Sequence, residues 1–180
     1  PYSLAHLGEA EFHQRKGTRA EALLQEALGE FRDLEDKRGT AFVLRQLGEV
    51  AFTRNEIDKA TPLFEESLVL RKKVGETWAI LESIEDLARV AFEGGAEAGS
   101  VTLLAGLESH HCSTRASPPA TNSEVREQLL VPARSALGDV TFSQAWERGR
   151  ALSLEQAASE ALRMNQTPTA AAFGSSVRSP

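Results

Sequence analysis

His6, Glu9 and His13 are spaced i, i+3, i+7, so on a helix they share one face. Imidazole and carboxylate are zinc ligands, and that spacing could present three of them. No second shell is identifiable around them, and a solvated polar face accounts for the same three residues. His110-His111-Cys112 is the other candidate. A thiol beside imidazoles can ligate a metal or form a nucleophile–base pair. Such a pair needs an orienting third group and a pocket, whereas this trio runs into a Ser- and Pro-rich stretch that reads as a loop over 109–121. The chain contains no HExxH, GxSxG or GxGxxG pattern and no GxxxxGK[ST] phosphate loop. The reading is therefore non-enzymatic, with no catalytic, cofactor-binding or metal-binding residue assigned.

Composition agrees with a helical module. The 180 residues carry 20 Lys and Arg against 26 Asp and Glu, a net charge of −6, with 41% hydrophobic residues. That balance is ordinary for a globular chain. An acidic surface argues against direct nucleic-acid contact, which needs clustered cations. No apolar run reaches the length of a membrane span. A single cysteine, Cys112, cannot form an internal disulfide, so a reducing cytoplasm is the expected setting. The chain opens at Pro1 directly into a helical pattern, which reads as a piece of a longer protein.

The elements that position these residues recur. Leu7-Gly8-Glu9-Ala10-Glu11-Phe12 returns 40 residues later as Leu47-Gly48-Glu49-Val50-Ala51-Phe52, and again as Leu87-Ala88-Arg89-Val90-Ala91-Phe92. A second string keeps the offset: Ala20, Leu23, Leu24, Glu26 and Leu28 against Ala60, Leu63, Phe64, Glu66 and Leu68. Each copy holds two amphipathic helices of period 3.6, with breakers at Lys16-Gly17-Thr18, Asn55-Glu56 and Gly94-Gly95. Small residues at 8, 48, 20 and 60 let the two helices of a pair approach. One hairpin cannot bury its apolar stripe alone, so neighbours must stack. The expected fold is all-α: a solenoid of three helix pairs at period 40 (residues 1–36, 37–76 and 77–108), then the loop 109–121. Capping helices over 122–163 and a flexible tail over 164–180 complete it. Thr121 to Glu124 and Ser153 to Gln156 fit capping boxes, Pro132 is expected to kink its helix, and Leu129, Leu137, Phe142, Trp146 and Leu154 suit the cap.

At these residues the chain resembles a tetratricopeptide repeat. Leu4, Leu7, Gly8, Ala20, Leu24 and Ala27 match the pattern, as do Leu44, Leu47, Gly48, Ala60 and Phe64. Departures are Leu4, Leu44 and Ile84 where Trp is common, a turn glycine displaced to Gly17 and replaced by Asn55, and Ser67 for the second alanine. The period exceeds the usual ~34 residues, and the connectors Leu34–Thr40 and Val74–Thr77 are where the excess is expected. This longer form resembles the C-terminal arrays of bacterial multidomain signal-transduction ATPases and MalT-like or LuxR-type transcriptional regulators. The Glu35-to-Gly39 segment and the Trp146-to-Ala157 ending carry that likeness.

The resemblance implies a protein- or peptide-binding module, serving as the sensor or docking arm of a larger regulator, with other domains of the parent chain as further partners. A small-molecule effector inside the superhelix is the alternative. Solenoid ends and grooves also suit oligomerisation. Family-type groove positions fall on Tyr2, Ala5, Glu9, Phe12 and His13 in the first copy. They fall on Phe42, Arg45, Glu49, Phe52 and Thr53 in the second, and on Glu82, Glu85, Arg89, Phe92 and Glu93 in the third. Phe12, Phe52 and Phe92 make a ladder that serves either the groove or the packing between repeats. Arg45 and the glutamates are expected to be exposed.

Overall fold

The computed structural model describes residues 1–114 and 120–164. Eight helices follow one another: α1 (Tyr2–His13), α2 (Gly17–Asp33), α3 (Lys37–Thr53), α4 (Ile57–Val74), α5 (Thr77–Glu93), α6 (Glu97–Thr114), α7 (Ala120–Arg150) and α8 (Leu154–Met164). No strand occurs among the described residues. The fold is an all-α solenoid of stacked helix pairs. The expected tail beyond Met164 lies outside the described residues.

A strict rhythm ends the helices. Left-handed backbone occurs at Arg15, Glu35, Asn55, Gly75 and Gly95, with φ between 52 and 80°, once every twenty residues. After four of the five, the next amide bonds back five residues: Lys16 to Glu11, Asp36 to Phe31, Glu56 to Ala51 and Ala96 to Ala91. This closes each helix by satisfying an otherwise orphaned carbonyl. Gly75 uses the shorter form, its own N–H bonding the Arg71 carbonyl at 2.9 Å. The first turn is thus made by Arg15, not by the expected Gly17, which is already the first residue of α2. The connectors are short, and helices of 17 or 18 residues absorb the extra length of the repeat instead. Glu35-to-Gly39, the linker-like segment, is a turn, a cap and a first helical turn. Asp36 accepts a hydrogen bond from the Gly39 N–H at 3.0 Å, and that bond holds its carboxyl below the usual range.

Within each pair the apolar stripes meet at matched positions. Leu24 and Phe64 are fully buried against Gly8 and Gly48; a Cβ there would lie 2.8 Å from Leu24 Cγ or 2.5 Å from Phe64 Cε1. The glycines therefore admit the large partner side chain rather than a second small residue. Ser67, in the place of an alanine, is buried and donates to the Ala41 carbonyl at 2.8 Å. The hydroxyl is satisfied without water, as a buried polar group must be.

The C-terminal part departs from the rhythm. α6 continues to Thr114 where a loop was expected from 109. Ser-His-His-Cys-Ser-Thr contains no breaker, and Ser109 Oγ donates to the Arg150 carbonyl at 3.2 Å, so the helix is held against α7. The His110-His111-Cys112 trio is consequently helical, not part of a linker; the side chains of His111 and Cys112 lie outside the described residues, as do those of the Thr121–Glu124 capping box. Helical dihedrals persist through Pro132, and α7 breaks instead at Gly138 (φ 72°, ψ 161°), a conformation only glycine adopts readily. The Ser153 box forms: Ser153 N–H to Gln156 Oε1 at 2.8 Å and Gln156 N–H to Ser153 Oγ at 3.3 Å. α8 then buries Ala157, Ala158 and Ala161 against α5 and α6, and Glu155 reaches Lys72 of α4 at 2.8 Å. Leu129 and Leu154 join that core, while Leu137, Phe142 and Trp146 pack beside Val101, Ala133 and Ala145.

Candidate functional site

The first helices of the pairs, α1, α3 and α5, carry every groove position named from the sequence. Stacking at a 40-residue offset brings residues about one repeat apart into reach. Arg45 of α3 donates to Asp86 of α5 at 2.6 Å through Nε and 3.3 Å through Nη2. Arg89 of α5 donates to Glu49 of α3 at 2.5 Å and lies over the Phe52 ring, 4.3 Å from its centre. Gln46 of α3 donates to Glu9 of α1 at 2.9 Å. Glu85 of α5 faces Arg126 of α7 at 3.9 Å, both side chains buried. A ladder of polar side chains therefore runs from α1 to α7.

Its electrostatics follow from burial and pairing. Burial alone would depress the Arg45 guanidinium, but Asp86, Glu82 and Glu49 together raise its pKa, so it stays charged. Glu49 is pushed up by burial and by the Asp86 charge, against the pull of Arg89 and Arg45. Glu85 is pushed up to about 7, chiefly by burial, with Arg126 opposing. Arg45, Glu49 and Glu85 are thus less accessible than expected, with Glu85 buried outright. The reason is that each charge finds its counter-charge on the next pair. Asp86, Gln46 and Arg126 were not named from the sequence; opposite charges one repeat apart, such as Glu49 and Arg89, were the available signal.

The remaining candidates keep exposed surface. His13 is exposed, and Phe12, Phe42, Phe52 and Phe92 are each half-buried, one face on the core. The Phe42 ring lies 5.4 Å from His6, linking α3 to α1. Glu82 is half-buried and takes Arg71 at 3.2 Å. His6 and Glu9 approach to 3.3 Å, while among the described residues no three His, Cys, Asp or Glu side chains converge. Tyr2 leaves the face: its ring meets Phe31 edge-on at 4.7 Å and its hydroxyl donates to Asp36 at 2.9 Å. Apart from this face, a cleft of about 440 Å³ opens between the halves of α7, lined by Leu130, Val131, Arg134, Phe142, Trp146 and neighbours. Phe142 and Trp146 stack there at 5.9 Å with Arg134 over Phe142.

Comparison with protein families gives a match to the tetratricopeptide repeat over residues 2–73, the first two helix pairs. Comparisons with curated proteins and with solved structures gave no match. Residues 2–73 are therefore similar to a tetratricopeptide repeat region, a repeat that generally mediates protein–protein interaction. Among the described residues, no helix is long and apolar enough to cross a membrane.

Proposed function

We propose that the face formed by α1, α3 and α5 receives a protein or peptide partner. Phe12, Phe52 and Phe92 recur at steps of one repeat, with Phe42 earlier on α3 against His6 of α1, and all four are only half-buried; this observation carries the reading. Aromatic anchors flanked by charges suit a peptide or helix. The ladder beneath them is already paired, so the rings sit on a preformed support and little ordering is needed on binding. His13, Glu9, Glu82, Glu93 and Thr53 line the accessible rim. Arg45, Glu49, Arg89 and Glu85 act as its framework. In the parent protein the module serves as the sensor or docking arm of a bacterial ATPase-type transcriptional or signalling regulator, a reading supported by the Trp146-to-Ala157 ending.

Phe42→Ala combined with Phe92→Ala is expected to weaken a captured partner at least tenfold in a titration while the protein stays folded by circular dichroism. Unchanged affinity in a folded double variant sinks the assignment. A small-molecule effector is the second reading, and the α7 cleft, of a size that suits a small ligand, favours it. Thermal-shift screening with sugars and nucleotides separates the two, because a bound ligand raises the unfolding midpoint by mass action.

A further inference from the structure

Ser3, His6, Leu7 and Ala10 form an exposed stripe on α1. Forty residues on, Val43, Gln46, Leu47 and Val50 are all buried, and so are Ser83, Asp86, Leu87 and Val90 another forty on. Leucine stands at 7, 47 and 87, yet its exposure falls from 45% to 3% to 0%. On α3 the stripe is covered by the preceding pair: Val43, Leu47 and Val50 share a core with Leu24, Ala27, Leu28 and Phe31 of α2. On α5 the preceding pair again supplies the cover, and Arg71 of α4 donates to Ser83 at 3.1 Å. Ser3 and Leu7 repeat Ser83 and Leu87 without that cover.

We propose that this stripe is a docking surface for one more helical hairpin of the same repeat type, whose second helix lies across α1 as α2 lies across α3. The stripe continues an established series of interfaces in register. A second copy of this chain does not fit the role. Its α2 and α4 are already seated on α3 and α5, and α6 is packed against α7 and α8, so it has no open second helix to offer. The occupant is therefore a separate hairpin with small and apolar residues at the positions of Leu24, Ala27, Leu28 and Phe31. His6 occupies the position from which Gln46 reaches Glu9, so a carboxylate at the matching place in the occupant completes the contact.

The test lengthens the chain by copying residues 1–40 ahead of Pro1, with Pro1→Ala at the junction because Ala41 holds the matching position. In the 180-residue chain, Leu7→Asp is expected to leave the urea midpoint nearly unchanged while Leu47→Asp lowers it strongly. In the lengthened chain, Leu7→Asp is expected to lower the midpoint as Leu47→Asp does. Independently, with Cys112→Ser as background, a Leu7→Cys thiol should react at least tenfold more slowly in the lengthened chain. Equal labelling rates in the two chains, or a Leu7→Asp that is silent in both, overturns the proposal. So does a dimer of the 180-residue chain that Leu7→Asp dissociates, since the stripe would then belong to a second copy.

Discussion

The joint from α2 to α3 and the joint from α4 to α5 lie forty residues apart and are closed by different chemistry. At the first, the Phe31 ring occupies the space that Gly39 leaves by lacking a side chain. Glu35 makes the left-handed turn and Asp36 caps α3. At the second, Arg71 stands where Phe31 stood. It is buried and donates to the Ala79 carbonyl at 2.6 Å, to Ser83 at 3.1 Å and to Glu82 at 3.2 Å. Burial lowers its pKa and Glu82 opposes that fall, so pairing sustains the charge. Gly75 makes the turn, and Glu76, lacking a cap hydrogen bond, pairs with Arg38 at 2.5 Å. One geometry is reached through shape in the first joint and through directed hydrogen bonds in the second.

If that contrast is right, the two joints fail differently. Phe31→Ala should have the largest effect, about 3–5 kcal/mol in urea denaturation, because a cavity replaces a fully buried ring. Arg71→Ala should cost about 3 kcal/mol, since it leaves a carbonyl and a half-buried carboxylate without their donor. Arg71→Met should lose nearly as much as Arg71→Ala, whereas a large recovery with Met would show that the filled volume, not the hydrogen bonds, decides the second joint.

The contact between α5 and α7 extends the comparison to a buried carboxylate that titrates, Glu85. Glu85 has its folded pKa, about 7, above the ordinary carboxylate value, so the folded protein holds the proton longer than the unfolded chain. The stability that protonated Glu85 provides is complete below about pH 4 and is lost as pH rises through about 7. Glu85→Gln should thus stabilise by roughly 2–3 kcal/mol above pH 7.5 and have little effect near pH 4, measured by melting at both pH values. The turns give the smallest effects. Glu35→Gly should stabilise by about 0.5–1 kcal/mol by relieving a left-handed backbone, while Gly75→Ala should destabilise by about 1 kcal/mol.

How far the sequence is legible differs between these parts. Register, helix order and the core positions Leu24, Phe64 and Leu104 follow from periodicity, because apolar stripes must face one another. The chemistry of the joints does not follow, because Phe31 and Arg71 occupy one site with unlike side chains, and a pattern of like residues hides such a pair. The groove reading named Arg45 and Glu49 from family positions and expected exposure. It does not show that Asp86 and Arg89 arrive one repeat later to pair with them and cover part of each. The 109–114 segment has the composition of a loop, although the first proline after it is Pro118 and Ser109 bonds the Arg150 carbonyl of α7.

The left-handed residue at every twentieth position also bears on how such a gene can grow. Tandem copying of forty codons reproduces both kinds of turn and returns each helix to its original role. Copying twenty would keep the turns but exchange the first for the second helix of each pair, sending Phe31 or Arg71 to the places of the small, buried Ala51 and Ala91. A duplication of whole periods is thus expected to preserve the packing, and a duplication of half a period to break it.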